Sequence, residues 1–594
     1  MTVSTFNRRK FLGIMAAGMA TPYVLSTSQQ ASAADSLSWT GNSAQAPLPL
    51  NNNDPSNIFD LSIASGDPTA TGVMLWTHIR ASQYDPAHHL QFQVAADPDF
   101  NYVAIEGMVN GQDFGADRDH TVKIDLEGQL QPNRNYYYRF LYKGTVSRTG
   151  RCKTAPAIGY DLDTVKFAVL TCQDYTNGYY GALNYVADDN NIDFVLHLGD
   201  FIYESVGDPR FQDLPFEDRL ITLPSGFSVA MNLDDYRHLY RSYRQDPYLQ
   251  KAMENHTWII ITDDHETCND CYWDYELDTL GCPDHPYTND PQFNNNLDLK
   301  RQLKLDSQRA WLEYAPARVQ VNKSATHPFD YSRIYRNFQF GDLVNLSMLD
   351  TRTYRTPHPC GEGDFLERYL PLGCTNLENP EQSMMGQEQR EWLINTWSAS
   401  HCRWNVLGNQ TYMGRMGIEL GDKVKLPFNV DAWDGYEAER QILMNEVKSN
   451  NVDNFVVLTG DLHTYMASQV KQDYADLSFW NLSNQVGVEF MTPSITSAGL
   501  SDMLLKTCPD PEVANFLLQA LSESALRITN PHIKMFNSTQ HGYSTIEFKK
   551  DYCEWIAYRV DKNTNAGNHG KKAISRFRKY EHWPWLMRLS TWGY

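Results

Sequence analysis

Four times along the chain an apolar run stops in a cluster of polar side chains of the metal-ligand type. Lys166-Phe167-Ala168-Val169-Leu170 runs into Thr171-Cys172-Gln173-Asp174, and Phe194-Val195-Leu196-His197-Leu198 runs into Gly199-Asp200. Trp258-Ile259-Ile260-Ile261 runs into Asp263-Asp264-His265-Glu266, and Phe455-Val456-Val457-Leu458 runs into Gly460-Asp461-Leu462-His463. Runs that are apolar at nearly every position read as strands covered on both faces, the pattern of a layered α/β fold. Ligands in such folds gather beyond the carboxyl ends of the strands, so four polar clusters at strand ends predict one composite site.

The residue types narrow the chemistry. Carboxylates, imidazoles, a thiolate and a phenolate brought together give a mixed oxygen, nitrogen and sulfur shell, which suits a redox-active or borderline metal beside a hard one. Metals about 3.5 to 4 Å apart can clamp the attacking and leaving oxygens of an in-line displacement at phosphorus and lower the pKa of a bound water. There is no Gly-rich Walker loop, so nucleotide binding of that type is not predicted.

With 594 residues, 42% of them hydrophobic, the chain exceeds one ordinary core, and two domains are expected. Residues 34–57 read as an extended leader rich in Asn, Pro, Ser and Gln. From Phe59 to Ala155 short strands such as Val73-Met74-Leu75-Trp76-Thr77 and Tyr136-Tyr137-Tyr138-Arg139-Phe140 alternate with turns such as Gly66-Asp67-Pro68, the rhythm of a separate β-sandwich spanning 58–157. Residues 158–594 then carry the polar strand ends. The net charge of −21 works against a nucleic-acid partner, which usually demands a clustered basic surface.

Asn7-Arg8-Arg9-Lys10 before the apolar stretch Phe11 to Leu25, with Ala31-Ser32-Ala33 after it, predicts a twin-arginine signal peptide over 1–33. That implies the twin-arginine export machinery as a partner and a periplasmic or secreted location. No later segment reaches the ~20 apolar residues of a permanent span. Among the ten cysteines, Cys360 and Cys374 flank a Gly- and Pro-rich loop and are predicted to pair. Cys268 and Cys271 have CxxC spacing without a partner motif, which reads as a local disulfide or two plain thiols rather than a zinc or redox site. The basic run Arg576-Phe577-Arg578-Lys579, with Trp583, Trp585 and Trp592 after it, reads as a solvated helix with aromatic packing.

Taken in order, Ala64-Ser65-Gly66-Asp67-Pro68, Leu75-Trp76-Thr77, the Cys172 strand end, Gly199-Asp200-Phe201-Ile202-Tyr203-Glu204, Asp263-Asp264-His265-Glu266, Asp350-Thr351-Arg352, Gly408-Asn409-Gln410, Gly460-Asp461-Leu462-His463 and Val488-Glu489-Phe490 resemble the PhoD family of alkaline phosphatases. More distantly the chain is similar to calcineurin-like and purple acid phosphatases. The resemblance covers nearly the whole mature chain. It implies a calcineurin-like two-sheet metallophosphoesterase sandwich behind an Ig- or fibronectin-like β domain, with ferric iron and calcium as cofactors. Residue by residue, it implies that Asp200 bridges two metals and that Tyr203, Cys172 and His463 bind iron. Asp264 and Asp461, with Asn269 as a further candidate, would bind the second metal. His265 would act on the substrate beside Asp264, and Asn409 would reach toward it. A C-terminal cover over the metal site is also implied. The activity expected is hydrolysis of small phosphate monoesters and diesters. A phospholipase D-like diesterase is the alternative, and a non-catalytic metal- or surface-binding protein is a third reading.

Overall fold

The structure is a computed structural model that describes residues 35–41, 51, 53–208, 212, 216–363, 368, 374, 376–419, 425–450, 452–474, 476, 481–499, 502 and 524–593. The twin-arginine segment lies outside the described residues.

The fully apolar runs do become central strands. Thr164–Leu170, Phe194–His197 and Thr257–Ile260 lie side by side and parallel, with Phe167 opposite Phe194 and Phe194 opposite Thr257. They form the middle of a ten-stranded mixed sheet. A second sheet of seven strands carries Val344–Met348, Trp404–Gly408, Phe455–Thr459 and Gln485–Met491, also mutually parallel. The two sheets pack face to face through large aromatic side chains. Phe340 of the second sheet meets Phe167 and Phe194 of the first at ring-centroid distances of 5.1 and 4.9 Å, and Phe490 stacks on Trp555 at 5.2 Å. Helices including Gly181–Asp188, Pro247–Asn255 and Leu297–Tyr314 belong to the ten-stranded side of this sandwich, which explains why the middle strands carry no polar face. Asp246 starts the second of these helices by accepting from Tyr248 N and Leu249 N, with Pro247 at the first helical position.

The N-terminal β segment has a core of its own, including Ile63, Leu75, Phe92, Val122 and Tyr138, and its strands fall in two sheets, one of which runs on into the ten-stranded sheet. Its strands Leu90–Ala95, Val103–Val109 and Asn135–Tyr142 form a sheet of their own, to which the leader adds the edge strand Trp39–Gly41. Ile63–Gly66, Met74–His78 and Thr121–Asp125 instead extend the ten-stranded sheet, Ser65 pairing with Thr257 and Gly66 with Trp258. The reason is local: Gly66 lacks the Cβ that would lie 2.3 Å from the Pro316 carbonyl oxygen and 2.8 Å from that of Trp258. Only the bare backbone can approach so closely.

The basic C-terminal run is a strand rather than a helix. Lys572–Tyr580 buries Ala573, Ser575, Phe577 and Lys579 in alternation, and Glu554 on the neighbouring strand pairs with Arg576 and Arg578 at 2.9 and 2.6 Å. Two strands separate it from Thr164–Leu170. Cys360 and Cys374 are bonded, as their loop predicts, with Cα atoms 5.7 Å apart. Cys268 and Cys271 are thiols. Among the described residues no helix is long and apolar enough to cross a membrane.

Candidate active site

The four polar clusters meet at the carboxyl ends of the parallel strands, three arriving from the ten-stranded sheet and one from the seven-stranded sheet. The turns that deliver them are strained. Cys172, Asp200, Asp461 and His463 have φ of 54°, 56°, 63° and 53°, and Gly199 has φ of 113°. Non-glycine residues in that region cost on the order of 1 kcal/mol or more each and persist only where the surroundings over-determine them. Here the buried Glu266 carboxylate accepts from Asp200 N at 3.0 Å, Phe201 N at 2.6 Å and Asp263 N at 2.7 Å, tying two turns together. Cys172 N donates to Gly199 O at 3.2 Å, and Ile495 N donates to Cys172 O at 3.1 Å.

Three ligand groups result, the donor atoms of each lying within 4.8 Å of one another: Cys172, Asp200 and His463; Asp200, Asp264 and His265; Asp263, Asp264 and Asp461. Asp200 and Asp264 each belong to two groups, so the three groups adjoin. Tyr203 joins the first group, its hydroxyl 3.0 Å from Asp200 Oδ2 and 3.2 Å from His463 Nε2. The carbonyl of Ala498 lies 2.6 Å from His463 Nδ1 and so takes the proton there, which leaves Nε2 as the donor atom. Burial holds that imidazole neutral, with a pKa of about 4.

Burial pushes the Asp200, Asp263 and Asp461 carboxyls well above the ordinary range, and likewise the Cys172 thiol and the Tyr203 phenol. Burial also works to raise Asp264, but Arg352 and His265 hold it below its usual value. So many acids packed together resist ionising unless a multivalent cation lies among them, since coordination favours the anionic form. Asp263 Oδ2 is moreover buried without a hydrogen-bond partner. The donor set therefore fits metal ions.

His265 stands apart in its partners. Its Nδ1 lies 2.6 Å from Glu204 Oε2, and its ring packs on Tyr203 with centroids 4.1 Å apart. Burial works against its charge, yet Glu204, Asp264 and Asp200 together raise its pKa well above the ordinary value. Asn269 is anchored to the same carboxylate, its N–H donating to Glu204 Oε1 at 2.9 Å, while its side-chain amide donates to Asp270 and Asp284 at 3.1 and 3.0 Å. A cavity of about 360 Å³ opens beside Glu204 and Asn269. Asn409 is not brought to the ligand groups: its amide donates to Thr411 O and accepts from Trp433 Nε1 at 3.2 Å, shaping its own turn.

Sequence reasoning missed the residues that hold the ligands. Arg352, fully buried, donates to Asp263 at 2.5 Å, Asp431 at 3.0 Å and Asp461 at 3.0 Å, and lies 3.7 Å from Asp264. Asp431 in turn accepts from Arg355 at 2.6 Å and sits 2.9 Å from His358 Nε2. Glu204, Glu266 and Arg352 all stand inside motifs legible in the chain, whereas Asp431 follows no apolar strand that would flag it.

The sequence model of the family described as "PhoD-like phosphatase" matches residues 167–555, and that of its N-terminal domain matches 43–156. Alkaline phosphatase D of Bacillus subtilis (strain 168) is 30% identical over 506 residues, covering 83% of this chain and 77% of its own. A solved structure titled "Structure of PhoD" superposes with a TM-score of 0.74 at 26% identity, covering 91% of this chain and 94% of its own. With metal-type ligand groups at the strand ends, this chain belongs to the PhoD-like phosphatase family, metal-dependent enzymes that hydrolyse phosphoric esters.

Proposed function

We propose that the enzyme is an exported alkaline phosphatase that releases phosphate from small organic monoesters and cleaves diesters, on a calcineurin-like arrangement of its two sheets. The observation that carries this reading is the pairing of two adjoining ligand groups with His265, a histidine held by Glu204. In this reading ferric iron takes the position of Cys172, Asp200, Tyr203 and His463, and calcium that of Asp264 and Asp461, with Asn269 nearby. When bound, the cations supply Lewis-acid charge at the phosphoryl oxygens and lower the pKa of the attacking water. His265, kept protonated by Glu204, gives a proton or a hydrogen bond to the leaving oxygen. Arg352 keeps Asp264 ionised and holds Asp461 in place, and Glu266 holds the Asp200 and Asp263 turns in register. The cavity beside Glu204 and Asn269 receives the alcohol portion of the ester. The twin arginine supports export through that pathway to the periplasm or the exterior.

Two measurements test the proposal. Turnover of a nitrophenyl phosphate, a bis-nitrophenyl phosphate and phosphatidylcholine, compared side by side, is expected to favour the first two; preference for the lipid replaces the reading with a phospholipase D-like one. Metal analysis of protein purified without added metals should find iron and calcium. Phenolate and thiolate donors to ferric iron absorb visible light, so Tyr203→Phe should shift or remove a visible band, and an unchanged spectrum excludes Tyr203 from the iron shell.

A further inference from the structure

His541 and Lys562 belong to none of the ligand groups, yet both are tied to the backbone that orients one of them. That backbone is residues 494–499, which follow the strand Gln485–Met491 and belong to no helix or strand, so side chains rather than a ladder set their course. On one side they lie against the Cys172 turn: Ile495 N donates to Cys172 O at 3.1 Å, Thr496 Oγ1 to Asp174 O at 2.6 Å, and Asp174 N to Ser497 Oγ at 3.0 Å. The next residue is Ala498, whose carbonyl takes the His463 Nδ1 proton. On the other side His541, just before the strand Gly542–Lys549, has Nδ1 2.9 Å from Ser494 Oγ, and Lys562, beyond the strand Tyr552–Arg559, donates to Thr496 O at 2.8 Å. Asp502 joins the two, lying 3.1 Å from His541 Nε2 and 3.3 Å from Lys562 Nζ while accepting from Gly499 N at 3.0 Å. Ser494, His541 and Asp502 touch in the order of a hydrolytic triad, but Ser494 is fully buried and its hydroxyl donates to Ser497 O at 2.7 Å, so no ester reaches it.

We propose that His541 and Lys562 are positioning residues for the cation of the Cys172, Asp200 and His463 group, acting through residues 494–499 on the imidazole of His463. The inference rests on the reading of that group as a cation site. His463 offers Nε2 to a cation only while its other nitrogen is held by the Ala498 carbonyl, and a carbonyl that moves lets the imidazole turn away. Lys562 grips the segment two residues before Ala498 and His541 grips it four residues before, while Asp502 links both to Gly499 on the far side. Removing either grip leaves every ligand in the sequence and loosens the carbonyl that aims one of them.

The test is independent of catalysis. Full-length protein stripped of metal by a chelator is titrated with Co²⁺, whose thiolate complexes absorb in the near ultraviolet, so a band that Cys172→Ser abolishes reports occupancy of this group alone. Lys562→Met and His541→Ala should each raise the Co²⁺ concentration at half-saturation about tenfold or more and shift the band. Lys562→Arg, which keeps a donor for Thr496 O and Asp502, should restore both. If the variants lower only the melting temperature of the metal-free protein, with band and midpoint as in wild type, the two residues are merely structural and the proposal is overturned. Absence of a Cys172-dependent band in wild type would instead remove the cation reading of the group, and this inference with it. Either variant decides the matter where the other does not fold.

Discussion

Three carboxylates surround the imidazole of His265, and they decide when it can act. Glu204, Asp264 and Asp200 raise its pKa against the pull of burial, so the imidazolium persists to higher pH than an ordinary histidine would allow. His265→Ala should lower kcat about 10² to 10⁴-fold with metal content retained. The loss should be larger on an alkyl phosphate than on a nitrophenyl phosphate, whose leaving oxygen needs no proton; equal losses would remove the acid role. Glu204→Gln lowers the His265 pKa, so the alkaline limb of the kcat–pH profile should move to lower pH, and a fixed limb assigns that titration elsewhere. Arg352 has the opposite task, facing Asp263, Asp264, Asp431 and Asp461 at once. Arg352→Met leaves buried carboxylates without their cation and should destabilise the metal-free protein by about 3 to 5 kcal/mol. Thermal melts with and without added divalent cation read both the loss and its partial recovery. The clusters with Cys172, Asp200, Asp264 and Asp461 were legible because each follows an apolar strand. Arg352 stands in the motif Asp350-Thr351-Arg352 after the strand Val344–Met348, whereas Asp431 reaches the site from a loop whose sequence carries no periodicity, and only the folded chain brings it in.

Strand identity was easier to read than strand partnership. Alternation along 59–155 marked the strands, but nothing local says that Ser65 and Gly66, besides pairing with Leu75 and Met74, also pair with Thr257 and Trp258. The C-terminal basic run shows the converse, because its charges suggested a helix while its alternate buried positions, Ala573 to Lys579, already had a period of two. The Gly66 seam can be broken by one methyl group. In Gly66→Ala the new Cβ meets two carbonyl oxygens, which are backbone and cannot swing away. The expected cost is about 1 to 3 kcal/mol, read as a lower denaturant midpoint at unchanged m-value. An unaltered midpoint would show that the seam has slack.

Over the whole molecule, acid should be the main threat to stability. Burial drives His197, at the end of a strand, and His532, in the turn before the strand Ile533–Asn537, to pKa values of about 3 from an ordinary 6.5. Both stay neutral in the folded state, so their full contribution is present above pH 6.5. As pH falls below that value the unfolded chain binds protons that the folded chain refuses, and stability declines toward the folded pKa values. Each histidine should cost up to about 2 kcal/mol at pH 5. Melting temperatures at pH 7 and pH 5 should differ accordingly, and His532→Gln should reduce the difference; a flat profile would contradict the assignment.

The position of Thr164–Leu170 in the middle of its sheet has a consequence for the nascent chain. One of its edges is completed by Gly542–Lys549, and the contacting residues Thr164 and Glu547 are 383 positions apart. At about 5 to 20 residues per second the ribosome needs roughly 20 to 75 s to supply the missing partner. For that interval the edge beside Thr164–Leu170 is open to pairing with a second copy still being made, so slow translation or crowded polysomes favour tangled dimers over finished enzyme.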